Sequence, residues 1–247
     1  GWQTQAALRS DDSSDFGRAT TGLIAAAWQW TPALKFSAQW ASGFSAPSFL
    51  DQQFANRATT LKPERSKQAE LALQWSEGAT LLRAGLFAQR QRDRIAFDPV
   101  TFETLNIARA KNRGLELMAQ WPVPFDADGV LGADLTLQDP RDASTDQPLK
   151  RRAKQSLALN YSTRVVGWQL MTALRHTGKR LDTDPVTFGD ADNSSRSTFH
   201  VSASRALTPQ WRVAVKLDNA FGETRPEVLG YTAPPRAFLV SLQGTMR

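Results

Sequence analysis

The chain contains no cysteine, and this absence excludes several classes of protein. Without cysteine there is no disulfide scaffold, no thiolate metal site and no cysteine nucleophile. Histidine is nearly as scarce, since His176 and His200 are the only two and fall on different predicted strands. No apolar run approaches the 18 residues that a membrane-spanning helix needs. We therefore expect no enzyme centre, no bound metal, no cofactor and no helical membrane domain.

The composition is that of a folded chain. Hydrophobic residues make up 41% of the 247 residues and charged residues 22%, which argues against extended disorder. The net charge is +6, and the mean hydropathy of −0.41 is polar. A polar average is compatible with membrane strands, because their apolar and polar residues alternate. One large β domain is ordinary at this length.

Apolar and polar residues alternate with a period of two, which predicts β-strands rather than helices. The alternation is clear in seven segments, namely 34–44, 69–75, 115–121, 131–138, 156–161, 211–218 and 238–242. It is less regular around 17–30 and 79–92. Counting the segments between turn signals predicts about twelve antiparallel strands. The fold class is therefore all-β.

The predicted connections alternate in length. Short turns fall at 31–32, 76–78, 122–129, 163–167 and 208–209. Long polar connections fall at 45–66, 98–102, 139–151, 178–196 and 222–235. Short turns at one end and long loops at the other are typical of the bacterial outer-membrane barrel, with periplasmic turns and extracellular loops. This layout predicts a transmembrane antiparallel β-barrel.

Five tryptophans lie within a few residues of the short turns: Trp30, Trp75, Trp121, Trp168 and Trp211. An indole ring favours the headgroup level of a bilayer, where aromatic girdles flank the apolar band of a barrel. We therefore predict that these five residues lie at the membrane interface. The alternative is that they close one end of the core of a soluble β-sandwich.

Five sequence segments resemble motifs of the TonB-dependent outer-membrane receptors, and they occur in the family's order. Residues 41–49 read ASGFSAPSF, 61–71 read LKPERSKQAEL and 112–117 read NRGLEL. Residues 217–223 read LDNAFGE, and 230–236 read GYTAPPR before the last predicted strand. Within the family, segments 8–12, 137–142 and 149–154 are similar to the cobalamin receptor branch.

The resemblance implies that residues 1–247 are the C-terminal part of a receptor barrel, about the last 12 of 22 strands, with the plug domain absent from this chain. A stand-alone closed barrel of about twelve strands is the other interpretation. The first residue is Gly1 with no signal-like segment after it, so either processing removed a leader or the chain is a piece of a longer protein.

The implied function is TonB-energised uptake of a small nutrient across the bacterial outer membrane, with cobalamin or a related corrinoid as substrate. The alternatives are a ferric siderophore as substrate, or a passive pore or translocator barrel. The ligand would meet the outer loops at about 45–66, 139–151, 178–196 and 222–235, whose contacting residues are unknown. The expected partners are the TonB complex, through the missing N-terminal part, the nutrient, and outer-membrane lipid.

Charged clusters near the long loops favour lipid over other partners. Arg90, Arg92, Arg94, Arg109, Lys111 and Arg113 lie near the outer half of one hairpin, and a second basic group spans 150–154. Aromatic residues do not interleave with them, so we expect no nucleic acid. Their height on the strands predicts contact with anionic lipopolysaccharide. The oxygen-rich stretch from Asp182 to Asn193 does not have EF-hand spacing and predicts a solvated outer loop.

Overall fold

The computed structural model describes residues 1–14, 17–55, 61–98 and 102–245. Its elements, in chain order, are β1 (Trp2–Ser13), β2 (Gly17–Gln29), β3 (Leu34–Ser45), α1 (Phe49–Gln53), β4 (Glu64–Glu77), β5 (Thr80–Asp98), β6 (Glu103–Pro122), β7 (Val130–Gln138), β8 (Arg141–Asp142), β9 (Gln155–Val165), β10 (Trp168–Thr177), β11 (Arg180–Thr183), β12 (Asp190–Asn193), β13 (Arg196–Ala206), β14 (Trp211–Asp218) and β15 (Ala237–Gly244). None of the described helices is long and apolar enough to cross a membrane.

Twelve of these strands follow one path in the sheet, in the order β1-β2-β3-β4-β5-β6-β7-β9-β10-β13-β14-β15. The short strand β8 pairs with β6, and β11 and β12 form a separate hairpin. The prediction of about twelve antiparallel strands is confirmed. The irregular segments 17–30 and 79–92 are also strands, β2 and β5.

The chain divides into two compact units. Unit 1 comprises residues 1–74, 84–115 and 138–149, and unit 2 comprises 75–83, 116–137 and 150–247.

In unit 1 the strand register places like residues side by side. Trp28 of β2 pairs with Trp2, and Ile24 pairs with Trp40 of β3, so one face is apolar. Gln39 lies on the other face, where its amide donates a 2.7 Å hydrogen bond to the Glu70 carboxylate. The period-two alternation therefore separates an apolar face from a polar face, as the pleat requires.

In unit 2 the last two strands repeat this separation. Val213, Val215 and Leu217 of β14 pair with Leu242, Val240 and Phe238 of β15. On the intervening positions, Arg212 pairs with Gln243 and Ala214 with Ser241.

The apolar faces are not collected into a core. Among the described residues, the buried hydrophobic side chains are Ala19, Leu61, Ala72, Ala110, Val123 and Ala153, mostly small. Large ones such as Leu71 (61% exposed) and Leu86 (60% exposed) lie open. A soluble sandwich would bury such residues between its sheets. A contiguous exposed apolar surface instead indicates contact with lipid or protein.

Candidate ligand-binding loops

The long loops of unit 2 are held together by one carboxylate, Asp182 of β11, which has no exposed surface. It accepts hydrogen bonds from the Arg151 guanidinium (2.8 Å) and from the Asn193 side-chain amide (3.1 Å). It also accepts the backbone N–H groups of Thr183 (2.8 Å) and Leu229 (2.9 Å). Residue 151 and the loops 178–196 and 222–235 therefore meet at a single side chain, and we call this group of contacts the Asp182 node.

Electrostatics explain why Asp182 can be buried. Burial by itself opposes ionisation of the carboxyl group, and it is the largest single influence on the pKa of Asp182. The hydrogen bonds from Arg151, Leu229, Thr183 and Asn193 together outweigh it and hold the pKa of Asp182 far below its usual range. The carboxylate therefore stays charged and keeps all four donors satisfied. The expectation that the whole 182–193 stretch is a solvated loop was wrong for this residue.

Arg180 makes a second connection between the same two loops. Its side chain is buried, and its guanidinium donates to the backbone carbonyls of Pro226 (3.3 Å) and Glu227. Burial lowers the pKa of Arg180, with the nearby Asp182 opposing that shift. Carbonyl groups that loop 222–235 would otherwise expose to water are thereby satisfied within the protein.

Asn219 shapes the start of loop 222–235. Its backbone has a positive φ of 49°, a conformation that asparagine tolerates better than most residues. Its side chain donates to the carbonyls of Glu223 (2.9 Å) and Pro234 (3.0 Å) and accepts the Glu223 N–H (2.8 Å). This explains the asparagine of the 217–223 motif as a loop-shaping residue.

Glu223 continues this loop with an ion pair. Its carboxylate accepts from the Arg225 Nε (2.8 Å) and from the Arg225 backbone N–H (2.9 Å). The side-chain hydrogen bond from Arg225 has the largest effect on the carboxyl group, and together with its backbone N–H it lowers the pKa of Glu223 to about 2.

Positive charge beside the Asp182 node is concentrated in residues 150–154. Residues 150–154, 178–196 and 222–236 contain nine Lys and Arg against six Asp and Glu, a net charge of +3. The pairs Lys150–Asp190 and Lys179–Asp192, both at 2.7 Å, are largely exposed and contribute little to stability. The two cross-linked loops by themselves, 178–196 and 222–235, carry four cations against six carboxylates, so the positive charge comes from residues 150–154 and Arg236.

In unit 1, loop 45–66 contains the helix α1, which the sequence prediction treated as loop. Ser48 caps it: the Asp51 N–H donates to Ser48 Oγ (3.1 Å), and the Ser48 N–H donates to the Asp51 carboxylate (2.8 Å). The helix exposes Phe49 and Leu50 (84% and 61% exposed), neither of which was predicted as a site residue. The local signal was present, because Ser-x-x-Asp is a capping-box spacing.

The part of loop 139–151 that belongs to unit 1, residues 139–149, is closed by ion pairs. Arg141 binds Asp139 at 2.7 Å, and Lys111 of β6 binds Asp146 at 2.7 Å. The Asp142 carboxylate accepts the backbone N–H groups of Ser144 (2.7 Å) and Thr145 (2.9 Å). Most charges of this loop therefore serve to hold its own conformation.

The five tryptophans predicted at the interface all lie at strand ends beside short turns. Trp168 and Trp211 begin β10 and β14, Trp30 follows β2, and Trp75 and Trp121 lie within two residues of the ends of β4 and β6. In unit 1, Trp30 belongs to a stack in which Trp28 lies 6.0 Å from Trp30 and 5.7 Å from Trp2. Their role at the membrane interface stays a prediction.

The histidines lie in separate polar contacts. His176 Nδ1 is 2.8 Å from Ser197 Oγ, and His200 Nδ1 is 2.8 Å from the Asp218 carboxylate. Within the described ranges, no cluster of three or more His, Asp or Glu side chains is arranged to hold a metal ion.

The chain is similar to known proteins in sequence and in structure. The family model described as "TonB dependent receptor-like, beta-barrel" matches residues 1–220. The ferric enterobactin receptor PfeA of Pseudomonas aeruginosa is similar with a TM-score of 0.81 and 17% identity, over 99% of this chain and 42% of PfeA. The FrpB iron transporter of Neisseria meningitidis is similar with a TM-score of 0.75 and 15% identity, over 98% of this chain and 42% of FrpB. The ferripyoverdine receptor of Pseudomonas aeruginosa is similar with a TM-score of 0.74 and 15% identity, over 92% of this chain and 33% of that receptor. The chain therefore spans less than half of each of these structures.

Proposed function

Because the chain belongs to the TonB-dependent receptor-like β-barrel family, whose members are outer-membrane proteins, we propose that it forms the C-terminal wall and outer loops of a nutrient receptor. The proposal is supported by its span of only 33–42% of those three structures, which leaves room for a plug and for further strands. The complete receptor would take energy from the TonB complex through segments outside this chain. The role is transport, and no residue here is assigned to catalysis.

For the ligand we propose a ferric siderophore. The observation that carries this choice is the basic segment 150–154, with four cations and no carboxylate, beside the Asp182 node. Iron(III) bound by three catecholate groups is anionic, because each catecholate carries two negative charges, and a positive surface attracts such a chelate before contact. The three similar structures are a ferric enterobactin receptor, a ferripyoverdine receptor and an iron transporter, which supports the same class of ligand.

A corrinoid is the competing ligand, because segments 137–142 and 149–154 are similar to the cobalamin receptor branch. Three charged residues of these segments have structural partners in this protein. Asp139 and Arg141 pair with each other, and Arg151 binds Asp182. Because these ion pairs explain the three charged residues by their role in loop conformation, the residues do not favour a corrinoid as ligand.

The test is uptake by cells that lack their own siderophore receptors and express the complete reading frame encoding this chain. We expect accumulation of iron from at least one labelled ferric chelate, abolished by deletion of TonB. Excess cyanocobalamin should not compete. Accumulation of cobalamin instead, or uptake that does not need TonB, would contradict the proposal, and large stable single-channel currents would support a passive pore.

A loop variant sharpens this test. Arg152→Glu reverses an exposed charge beside the Asp182 node, and Arg205→Glu makes the same change near a short turn. We expect the first variant to weaken chelate binding about two- to fivefold, because an exposed charge acts through water. The second should bind like the unmodified receptor.

A further inference from the structure

The apolar face of unit 1 carries a long groove. Two recesses of about 560 Å³ each share Ala26, Ala38, Leu71 and Leu86, so they are continuous. Small alanine side chains leave the space, and larger side chains such as Trp40 border it. An open apolar groove of this kind suits hydrocarbon chains, and we call it the channel.

The groove opens into a basic recess of about 730 Å³, with which it shares Trp40, Ala69 and Ala88. The charged residues that line this basic recess are Lys67, Arg90, Lys111, Arg113, Arg141, Asp139 and Asp146. Five cations against two carboxylates give a net charge of +3.

The period-two alternation places these cations on the apolar face. Glu70 and its partner Gln39 mark the polar face, so Leu71 lies opposite to them and Lys67 shares its face with Leu71. By the same count Arg90 shares a face with Leu86, and Arg113 shares a face with Leu115. Leu86 and Leu115 both line the groove. The register of β8 on β6 pairs Arg141 with Lys111.

Two of the five cations are neutralised inside the protein. Lys111 binds Asp146 and Arg141 binds Asp139, both at 2.7 Å. Lys67, Arg90 and Arg113 have no carboxylate at ion-pairing distance within the part of the chain that the structure describes. Three unpaired cations above an apolar channel are complementary to a ligand with both phosphates and acyl chains.

The position along the strands indicates the membrane level. Lys67 and Arg113 each lie eight residues from a tryptophan at the short-turn end, Trp75 and Trp121 respectively. A tilted transmembrane strand needs about 9–11 residues to cross the hydrocarbon core. The cations therefore fall near the headgroup level on the side of the long loops, where a basic side chain contributes about 1 kcal/mol by contact with anionic lipid.

We propose that this groove is a binding site for lipopolysaccharide, a phosphorylated lipid with several acyl chains. Lys67, Arg90 and Arg113 bind its phosphates, and acyl chains lie along the channel past Trp40 and Leu71. The site is independent of which nutrient the receptor carries. It requires only that the apolar face meets the outer leaflet.

The experiment uses the receptor from the complete reading frame, purified in detergent and titrated with purified lipopolysaccharide, with native mass spectrometry as readout. The variant Lys67→Gln/Arg90→Gln/Arg113→Gln should raise the Kd on the order of 100-fold, from about fivefold per lost contact. Ala38→Phe fills the channel without changing charge and should also weaken binding. The matched control is Arg164→Gln/Arg205→Gln/Arg212→Gln, which removes the same charge near the short turns and should leave the Kd unchanged.

Two further ligands distinguish the sources of phosphate. Phosphatidylglycerol and inorganic phosphate should bind the unmodified receptor at least tenfold more weakly than lipopolysaccharide. Equal binding of phosphatidylglycerol would assign the site to anionic lipid in general and overturn the proposal. An unchanged Kd in the triple variant, or a receptor dimer that buries Trp40, would overturn it as well. Each variant must first show the heat-modifiable band of a folded barrel, and the comparison of Ala38→Phe with the triple variant provides two independent tests of the site.

Discussion

Removing the Asp182 carboxylate tests whether one side chain holds the outer loops of unit 2 together. The change is Asp182→Ala. It removes the acceptor of four hydrogen bonds, three of them from groups with little access to water: Asn193 and the N–H groups of Thr183 and Leu229. The fourth donor, Arg151, is half exposed and can turn to solvent.

The magnitude follows from those three stranded donors. Each buried donor without an acceptor costs about 1–3 kcal/mol, and we take the lower end because water can enter a surface loop. The loops are then destabilised by about 3 kcal/mol, which is roughly a 150-fold increase in their opening equilibrium. The main sheet should be unaffected, because β11 and β12 pair with each other and not with its strands.

The assay is hydrogen exchange, followed by mass spectrometry on peptides covering 178–196 and 222–235. Backbone amides of Thr183 and Leu229 should exchange about 100-fold faster in Asp182→Ala. Asp190→Ala is the matched control, because it also removes one carboxylate from this hairpin but from an exposed pair with Lys150. Its effect should stay below about 1 kcal/mol.

Two results would refute this reasoning. If Leu229 keeps its protection in Asp182→Ala, then the loops are held by other contacts, such as those of Arg180. If β14 and β15 also exchange faster, then the loops and the sheet are one cooperative unit.

Three further predictions concern other residues of unit 2. Glu223, with a pKa of about 2 against an ordinary value of 4.5, stabilises loop 222–235 fully above pH 4.5 and loses that contribution as the pH falls toward 2. Hydrogen exchange of this loop should therefore quicken as the pH falls through this range, beyond the change in intrinsic exchange rate, and Glu223→Gln should abolish that pH dependence. Asn219→Ala should destabilise the receptor by about 2 kcal/mol in urea unfolding, because the variant loses three hydrogen bonds and places alanine at a positive φ. Asn219→Gly should recover the part of this loss that comes from backbone strain. Gly244→Ala puts a Cβ 2.8 Å from the Trp211 ring and should shift its fluorescence and cost about 1–2 kcal/mol, whereas Gly132→Ala, with its nearest atom at 3.8 Å, should do neither.

The strands were predictable because their information is local. Period-two alternation and turn residues are read within ten residues, and the tryptophans at 168 and 211 directly begin their strands. The helix α1 also had a local signal, since Ser48 and Asp51 form its cap. It was missed because five residues between polar loop segments carry no periodicity of their own.

The Asp182 node could not be predicted, since its partners are distant in sequence. Leu229 lies 47 residues from Asp182, and Arg151 lies 31 residues away. An aspartate in an acidic, glycine-containing loop has the same local composition whether it is solvated or buried. Only the folded arrangement of three loops decides between these states, and here it selects burial with four donors.

The β11–β12 hairpin has a consequence for engineering. Its tip is closed by Asp184, which accepts the N–H groups of Val186 and Thr187 at 2.8 Å, and beyond it Val186 and Phe188 are 82% and 77% exposed. Exposed tips of this kind tolerate inserted peptides, because the inserted chain disturbs neither buried surface nor the pairing between the two strands. In the proposed receptor, a foreign epitope placed at this tip would thus be displayed on the cell surface, carried by a hairpin whose base is fastened at Asp182.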